Sequence, residues 1–179
     1  MKVVGVVGYP ASGKGEFSLI AGEMGIPVVV MGDMIRRKVI EDGLTLTDEN
    51  IGAAARKLRA ELGMDAVAIL TAEEVGKLNP KIVVIDGIRG DAEVTYFKSV
   101  FNDFSLLAIT SSFETRLHRM KNRGRSDDTT TPETLHSRDV REESFGLGLA
   151  VSLADTQIEN ESTREKFIAQ IQNFLESLV

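Results

Sequence analysis

Short apolar runs alternate with amphipathic stretches along this chain of 179 residues. Four runs have the length of strands, and a weaker fifth follows: Val3–Val7, Val28–Met31, Ile82–Ile85, Ser105–Thr110 and Thr156–Glu159. The first three are continuous and rich in valine and isoleucine, which is typical of strands buried on both faces of a parallel sheet. The alternation predicts an α/β fold whose mostly parallel sheet has helices on both faces.

The stretches between the runs have the spacing of helices with one apolar face. Apolar residues recur at i, i+3, i+4 and i+7 over 17–24, 51–62 and 167–178. Thr47 stands where an N-cap belongs before the second stretch. Ser162, three residues before a glutamate, has the spacing of a capping box and predicts the start of the last helix.

Two regions interrupt the alternation of strands and helices. Residues 33–79 and 111–150 are predicted to be helical without an intervening strand. The chain contains no internal repeat, low-complexity tract or linker. We therefore predict one domain over 1–179 with two helical excursions.

Composition excludes several classes of protein. With 42% apolar and 27% charged residues, the chain is typical of soluble proteins. Its net charge of -6 argues against a dedicated nucleic-acid binder. The absence of cysteine excludes disulfides and thiolate chemistry, and no apolar run approaches the length of a membrane span. These features predict a cytoplasmic protein, and nothing in them specifies an oligomeric state.

The first predicted strand runs directly into a glycine-rich segment, Gly8-Tyr9-Pro10-Ala11-Ser12-Gly13-Lys14, and then into a helix. This is G-x-x-x-x-G-K in its strand–loop–helix context. Glycine lets backbone N–H groups turn inward around phosphates, and the helix N-terminus adds positive potential. Lys14 is expected to reach the β- and γ-phosphates of ATP. The residues predicted to hold the nucleotide are Gly8, Pro10, Ala11, Ser12, Gly13, Lys14, Gly15 and Glu16.

Gly15 departs from the general motif, which has a Ser or Thr there to hold magnesium. The resulting G-K-G resembles the loop of adenylate kinases and related nucleoside-monophosphate kinases. Residues 30–36 (VMGDMIR) are similar to their T-G-D-M-L-R, and 84–89 (VIDGIR) to their I-L-D-G-F-P-R. Residues 123–128 (RGRSDD) resemble the lid of UMP/CMP kinases. The four matches stand in the family's order over most of the chain, which also resembles an archaeal adenylate-kinase-related, dephospho-CoA-kinase-like group.

The resemblance implies a P-loop NTPase fold with a five-stranded parallel sheet. It assigns monophosphate binding to the excursion 33–79 and a lid to 111–150, with ATP and Mg²⁺ as cofactors. Asp33, Arg36, Gly87 and Arg89 are expected to bind the acceptor, and Asp86 to orient the magnesium. A guanidinium group suits this task because its fork matches phosphate oxygens. Arg89 stands three residues after Asp86, however, where the family's arginine stands four after, and the family's proline is missing.

Basic residues are concentrated between 116 and 125. Catalysis of phosphoryl transfer rests on positioning and on positive charge around the moving group, which lid arginines supply when they close. We expect Arg119, Arg123 and Arg125 to act in this way, and Arg119 to stack on the base of the nucleotide. Arg138 would follow on the next helix, although the chain has two more residues before it than the family pattern.

The leading hypothesis is a nucleotide kinase that moves the γ-phosphoryl group of ATP onto a monophosphate. AMP is the first candidate acceptor, followed by CMP and dephospho-CoA. The alternative is a nucleotide sensor or slow ATPase that regulates a partner. It arises because Glu16 replaces the family's threonine and would weaken phosphate binding if it pointed inward. Phosphorylation of another metabolite or of an RNA end is a third hypothesis.

Overall fold

The structure, a computed structural model, describes residues 1–123 and 131–178. Those ranges contain five strands and nine helices. In chain order they are β1 Lys2–Val7, α1 Lys14–Glu23, β2 Val28–Val30, α2 Met31–Glu41, α3 Asp48–Leu62, α4 Ala66–Leu78, β3 Ile82–Ile88, α5 Asp91–Val100, β4 Phe104–Thr110, α6 Phe113–Arg123, α7 Pro132–Glu143, α8 Leu147–Ser152, β5 Thr156–Glu159 and α9 Arg164–Glu176.

The five strands form one parallel sheet in the order β2-β3-β1-β4-β5. Side chains of β1 alternate between its faces, as the pleat requires. Val3 and Val7 pack with helices α2 to α5 and α8, whereas Val4 and Val6 pack with α1 and α9. The prediction of a five-stranded parallel sheet with helices on both faces is confirmed.

Several element boundaries differ from those predicted. Met31 begins α2 instead of ending β2, and β3 continues past Ile85 to Ile88. Thr47 caps α3 as expected, since its side chain accepts a hydrogen bond from the backbone of Asn50. The cap of α9 is Thr163 and not Ser162, because Thr163 is the residue whose hydroxyl reaches the N–H three positions ahead.

The topology brings the chemistry to one edge of the sheet. Parallel strands end at the same edge, and ligands of open α/β sheets bind there. The glycine-rich loop follows β1, and helices α2 to α4 lie between β2 and β3. No helix in the described part of the chain is long and apolar enough to cross a membrane.

Candidate functional site

Close packing explains two glycines of the loop. A Cβ on Gly8 would lie 2.3 Å from the carbonyl oxygen of Ile109, which is backbone and cannot move aside. Gly13 has φ near 120°, and a Cβ there would lie 2.5 Å from the side-chain nitrogen of Asn160. Ala11 adopts a left-handed conformation with φ of 63°. Positive φ at Ala11 and Gly13, on either side of Ser12, is typical of the backbone concavities that bind anions.

Lys14 folds back onto its own loop. Its ammonium group donates to the carbonyl oxygens of Gly8 and of Tyr9, the latter at 3.0 Å. Burial lowers the pKa of Lys14 to about 8, an effect that the negative charge of Asp86 partly opposes. An anion bound in the loop would supply the opposite charge that this ammonium group lacks.

The two residues after Lys14 face away from the centre of the loop. Gly15 is exposed, and a Cβ added to it would contact nothing within 4 Å. The carboxylate of Glu16 accepts a hydrogen bond from the guanidinium of Arg164 at 2.6 Å, which directs it toward α9. Glu16 therefore pairs with Arg164 of α9, which is not the inward orientation on which the sensor hypothesis drew.

Asp86 lies near the end of β3 with its two oxygens in different surroundings. Its Oδ2 accepts a hydrogen bond from Ser18 at 2.7 Å, one helical turn after Lys14. Its Oδ1 is buried and has no partner among the described residues. The described ranges contain no group of three His, Cys, Asp or Glu side chains that could enclose a metal. A single available carboxylate fits Mg²⁺, which is commonly bound by one or two carboxylates, substrate phosphates and water.

A cavity of about 530 Å³ lies between α2, α3, α7 and the end of β3, the strand that pairs with β1. Its walls include Met31, Ile35 and Gly87 together with six arginines. These arginines are Arg36, Arg56, Arg59, Arg89, Arg138 and Arg141. The structure thus brings Arg36 and Arg89, which were expected to bind the acceptor, into one cavity with Arg138, which was expected to act as a lid arginine. Arg141 follows Arg138 on the same predicted helix, whereas Arg56 and Arg59 were missed by the sequence reasoning.

A repeated spacing in the sequence marks two of the cavity arginines. Gly32 precedes Arg36 by four residues on α2, and Gly52 precedes Arg56 by four on α3. Helical side chains lean toward the N-terminus, so each guanidinium lies over the bare glycine one turn earlier. A Cβ on either glycine would lie 3.2 or 3.3 Å from the arginine nitrogen. This G-x-x-x-R pattern is the signal from which Arg56 was predictable.

The cavity remains positive after its acidic residues are counted. Asp33 binds Arg36 at 2.7 Å, and Glu142 binds Arg89 at 3.0 Å. Glu49 and Glu93 also line the cavity, so six arginines and four carboxylates, two of them partners outside the lining, leave a formal charge of +2 in a chain of net charge -6. In the described part of the chain, Arg56 and Arg138 form no ion pair. A dianionic ligand is the species that matches this charge.

A buried ion pair supports the floor of the cavity. Arg59 donates to Glu93 at 3.0 Å, and its guanidinium lies 4.6 Å from the ring centre of Phe145. The other oxygen of Glu93 accepts the backbone N–H of Arg89 at 2.8 Å. Burial raises the pKa of Glu93, while the bonds from Arg89 and Arg59 oppose that effect. The pair therefore fixes the backbone from which Arg89 projects.

The predicted lid arginines are located only in part. Arg119 donates to both oxygens of Asn160, at 2.7 and 2.9 Å, and to Ser111. Asn160 in turn donates to the carbonyl of Ser12 at 2.8 Å, which links Arg119 to the loop. Arg123 ends α6, but its side chain and the whole of Arg125 lie outside the described residues.

The fold and this site define a P-loop protein with a kinase-like architecture. The chain belongs to the family described as an AAA domain, whose model matches residues 4–146. It is 55% identical over 175 residues to a UPF0200 protein of Methanoculleus marisnigri, an alignment that covers 98% of this chain and 96% of the relative. The resemblance to P-loop proteins is thereby confirmed, and the finer assignment to nucleoside-monophosphate kinases stays a prediction.

Solved structures of kinases share the fold. Shikimate kinase from Acinetobacter baumannii, in complex with shikimate, aligns over 99% of this chain and 93% of its own with a TM-score of 0.59 and 16% identity. A gluconokinase from Sinorhizobium meliloti aligns over 99% and 93% with a TM-score of 0.57 and 14% identity. At these identities the likeness concerns the fold alone.

Proposed function

We propose that this protein is a nucleotide kinase that transfers the γ-phosphoryl group of ATP to a nucleoside monophosphate. AMP is the first candidate acceptor, CMP the second, and dephospho-CoA a related third. The observation that carries the proposal is the cavity of about 530 Å³ lined by six arginines, whose formal charge is +2 when Glu49, Glu93 and the ion-pair partners Asp33 and Glu142 are counted. A phosphate monoester has up to two negative charges near neutral pH, so it neutralises the site.

The chain's own residues have distinct roles in this proposal. The loop and Lys14 hold the β- and γ-phosphates of ATP, and Asp86 orients Mg²⁺ and its waters. Magnesium neutralises charge on the transferring group. Arg36, Arg89 and Arg138 bind the acceptor phosphate and aim its oxygen at the γ-phosphorus. The acceptor is already an anion, so no protein base has to remove a proton.

Position along the sheet supports the division of roles. Asp86 lies in β3, and Arg89 directly follows that strand. Burial lowers the pKa of Lys14 most, the charge of Asp86 raises it and the charge of Arg89 lowers it. The end of β3 is thus within electrostatic reach of Lys14 and also borders the arginine-lined cavity. In-line transfer requires this proximity, because the two phosphates must meet without intervening water.

The test is a transfer assay with Mg²⁺ and ATP against AMP, CMP, UMP, GMP and dephospho-CoA, resolved by phosphorus NMR. We expect a new diphosphate or CoA signal with one acceptor, abolished in Lys14→Ala. Arg36→Ala should raise the KM for the acceptor much more than the KM for ATP. A matched control is Arg37→Ala, since Arg37 is the neighbouring arginine and pairs with Glu74 on the surface. Equal effects of the two substitutions would contradict the assigned acceptor site.

The alternative function is a nucleotide sensor or slow ATPase. One of its motivations weakens, because Glu16 is paired with Arg164. In the same assay, this alternative requires that ATP is hydrolysed slowly to ADP and phosphate and that no acceptor increases the rate. That result, with intact nucleotide binding, would replace the kinase proposal.

A further inference from the structure

Helix α7 presents two different faces to two parts of the site. Arg138 and Arg141, three residues apart, line the cavity. Glu143 accepts a hydrogen bond from Tyr9 of the glycine-rich loop. Asp139, four residues earlier, binds Arg116, which itself contacts the loop. Residues three or four apart lie on one side of a helix, so each pair defines a face. One rigid element of twelve residues therefore spans both binding regions.

Arg116 on α6 is the centre of the contacts on the loop side. Its guanidinium makes two bonds to the carboxylate of Asp139, at 2.9 and 2.7 Å. It also donates to the carbonyl of Pro10 at 3.3 Å and lies 5.1 Å from the ring centre of Tyr9. Its side chain is only 6% exposed, so it has little freedom to exchange these partners for water.

A second contact joins the same helix to the loop. The hydroxyl of Tyr9 donates to the carboxylate of Glu143, whose other oxygen accepts the N–H of Gly148. Two consecutive loop residues, Tyr9 and Pro10, are thus held by α7, one directly and the other through Arg116. A shift of either loop residue changes contacts with α7.

We propose that Arg116 and Asp139 are positioning residues that couple occupancy of the phosphate loop to the placement of the cavity arginines on α7. Lys14 now bonds to the carbonyls of Gly8 and Tyr9, and it must release them to bind a phosphate. This release changes the conformation of Tyr9 and Pro10, the two loop residues that contact Glu143 and Arg116. The bidentate pair transmits this change to Asp139 and hence to Arg138 beside it. This inference rests on phosphate binding by the loop and refines the proposed kinase function.

Electrostatics favours the same direction of coupling. Burial lowers the pKa of Lys14 most, and the positive charge of Arg116 lowers it slightly further, so the two cations lie within electrostatic reach of each other. An anion between them removes this repulsion and attracts both side chains. Asp139 binds Arg116 through two hydrogen bonds, so α7 has to move when the guanidinium of Arg116 moves.

The first test needs no acceptor. Hydrogen exchange, followed by mass spectrometry, is measured on the full chain with and without Mg·ADP. We expect slower exchange of α7 amides in the wild type when ADP is bound, and no slowing in Asp139→Asn with ADP at saturation. Asp42→Asn is the matched control, because Asp42 at the C-terminal end of α2 forms a surface ion pair with Lys38 of the same helix at 3.0 Å and, within the described ranges, is not bonded to α7. It should behave as the wild type.

A second measurement guards against loss of folding in Asp139→Asn. Tyr9→Phe keeps the aromatic ring and removes only the bond to Glu143, so it should reduce the response of α7 partially. An unchanged response in both variants, or no response of wild-type α7 to bound ADP, would overturn the proposal. Failure of ADP to bind would overturn it as well.

Calorimetry with the acceptor found by the transfer assay gives the size of the coupling. The affinity for a non-hydrolysable ATP analogue should rise at least about fivefold when the acceptor is present. In Asp139→Asn, the ratio of the affinities measured with and without acceptor should fall to within about twofold of one. If no acceptor is phosphorylated but α7 responds to ADP, the kinase proposal fails and the coupling stands. If transfer occurs and the ratio is one in the wild type, the coupling fails and the kinase proposal stands.

Discussion

The lowered pKa of Lys14 predicts that nucleotide binding takes up a proton at alkaline pH. In the free protein its pKa is about 8, chiefly because burial removes water from the ammonium group. A bound phosphate stabilises the charged form and returns the pKa toward or above its ordinary value. The free loop is therefore partly neutral at pH 8 to 9, whereas the occupied loop is fully charged.

The magnitude follows from the two protonation states. Binding should take up about 0.5 proton at pH 8 and about 0.9 proton at pH 9. The dissociation constant for ADP should accordingly rise about tenfold between pH 7 and pH 9. The terminal phosphate of ADP contributes little at pH 8 and above, because its second ionisation is complete near pH 6 to 7.

The assay is calorimetric titration with Mg·ADP in pairs of buffers that differ in ionisation enthalpy. The difference in observed heat gives the number of protons exchanged. Lys14→Arg is the control, since a guanidinium stays protonated throughout this range. No proton uptake by the wild type at pH 9 would refute the reasoning, because it would mean that Lys14 keeps its charge in the empty loop.

Three further predictions concern stability and affinity. Lys14→Met removes a buried charge and should raise the free energy of unfolding of the unliganded protein at pH 7 by about 1–3 kcal/mol. Urea denaturation measures this change, and a decrease would contradict the burial of the ammonium group. Gly8→Ala should cost more than about 2 kcal/mol in thermal unfolding because its Cβ meets the Ile109 carbonyl, whereas Gly15→Ala should change stability by less than about 1 kcal/mol. Arg138→Ala should raise the acceptor KM at least about tenfold with little effect on ADP affinity, and equal losses for both ligands would contradict its place in the cavity.

The contribution of Lys14 to the free energy of unfolding increases as pH rises. Its pKa is lower in the folded than in the unfolded chain, so the unfolded chain binds more protons between about pH 8 and 10.5. The contribution of Lys14 therefore makes the unliganded protein more stable as pH rises through that window. Lys14→Met should remove this dependence.

Much of the fold was predictable because its signals are local. Continuous valine and isoleucine runs indicated strands that are buried on both sides, and 3.6-residue periodicity indicated the helices between them. Boundaries were less well predicted. Met31 is apolar like the strand before it, and only its place in the turn of α2 separates the two. Thr163 and Ser162 are equally able to cap by composition, and backbone geometry selects Thr163.

The candidate site was predicted unevenly. The loop follows from a contiguous motif whose spacing reflects its chemistry. Ser18, Arg116 and Glu93 carry no such motif, because their partners are distant in sequence: Asp86, Asp139 and Arg59. Pairings of this kind depend on which helices the chain packs together.

By itself the sequence determined a strand–loop–helix motif of the kind that binds phosphate, a parallel sheet and a negative net charge. Only the tertiary structure decided that arginines from α2, α3, β3 and α7 share one cavity and that Glu16 turns to Arg164. It also decided that α7 contacts Tyr9 of the loop through Glu143 on one face and lines the cavity with the other. The physical reason is that local patterns fix backbone conformation and the side of burial, whereas a charged side chain's partner is fixed by packing across large sequence separations.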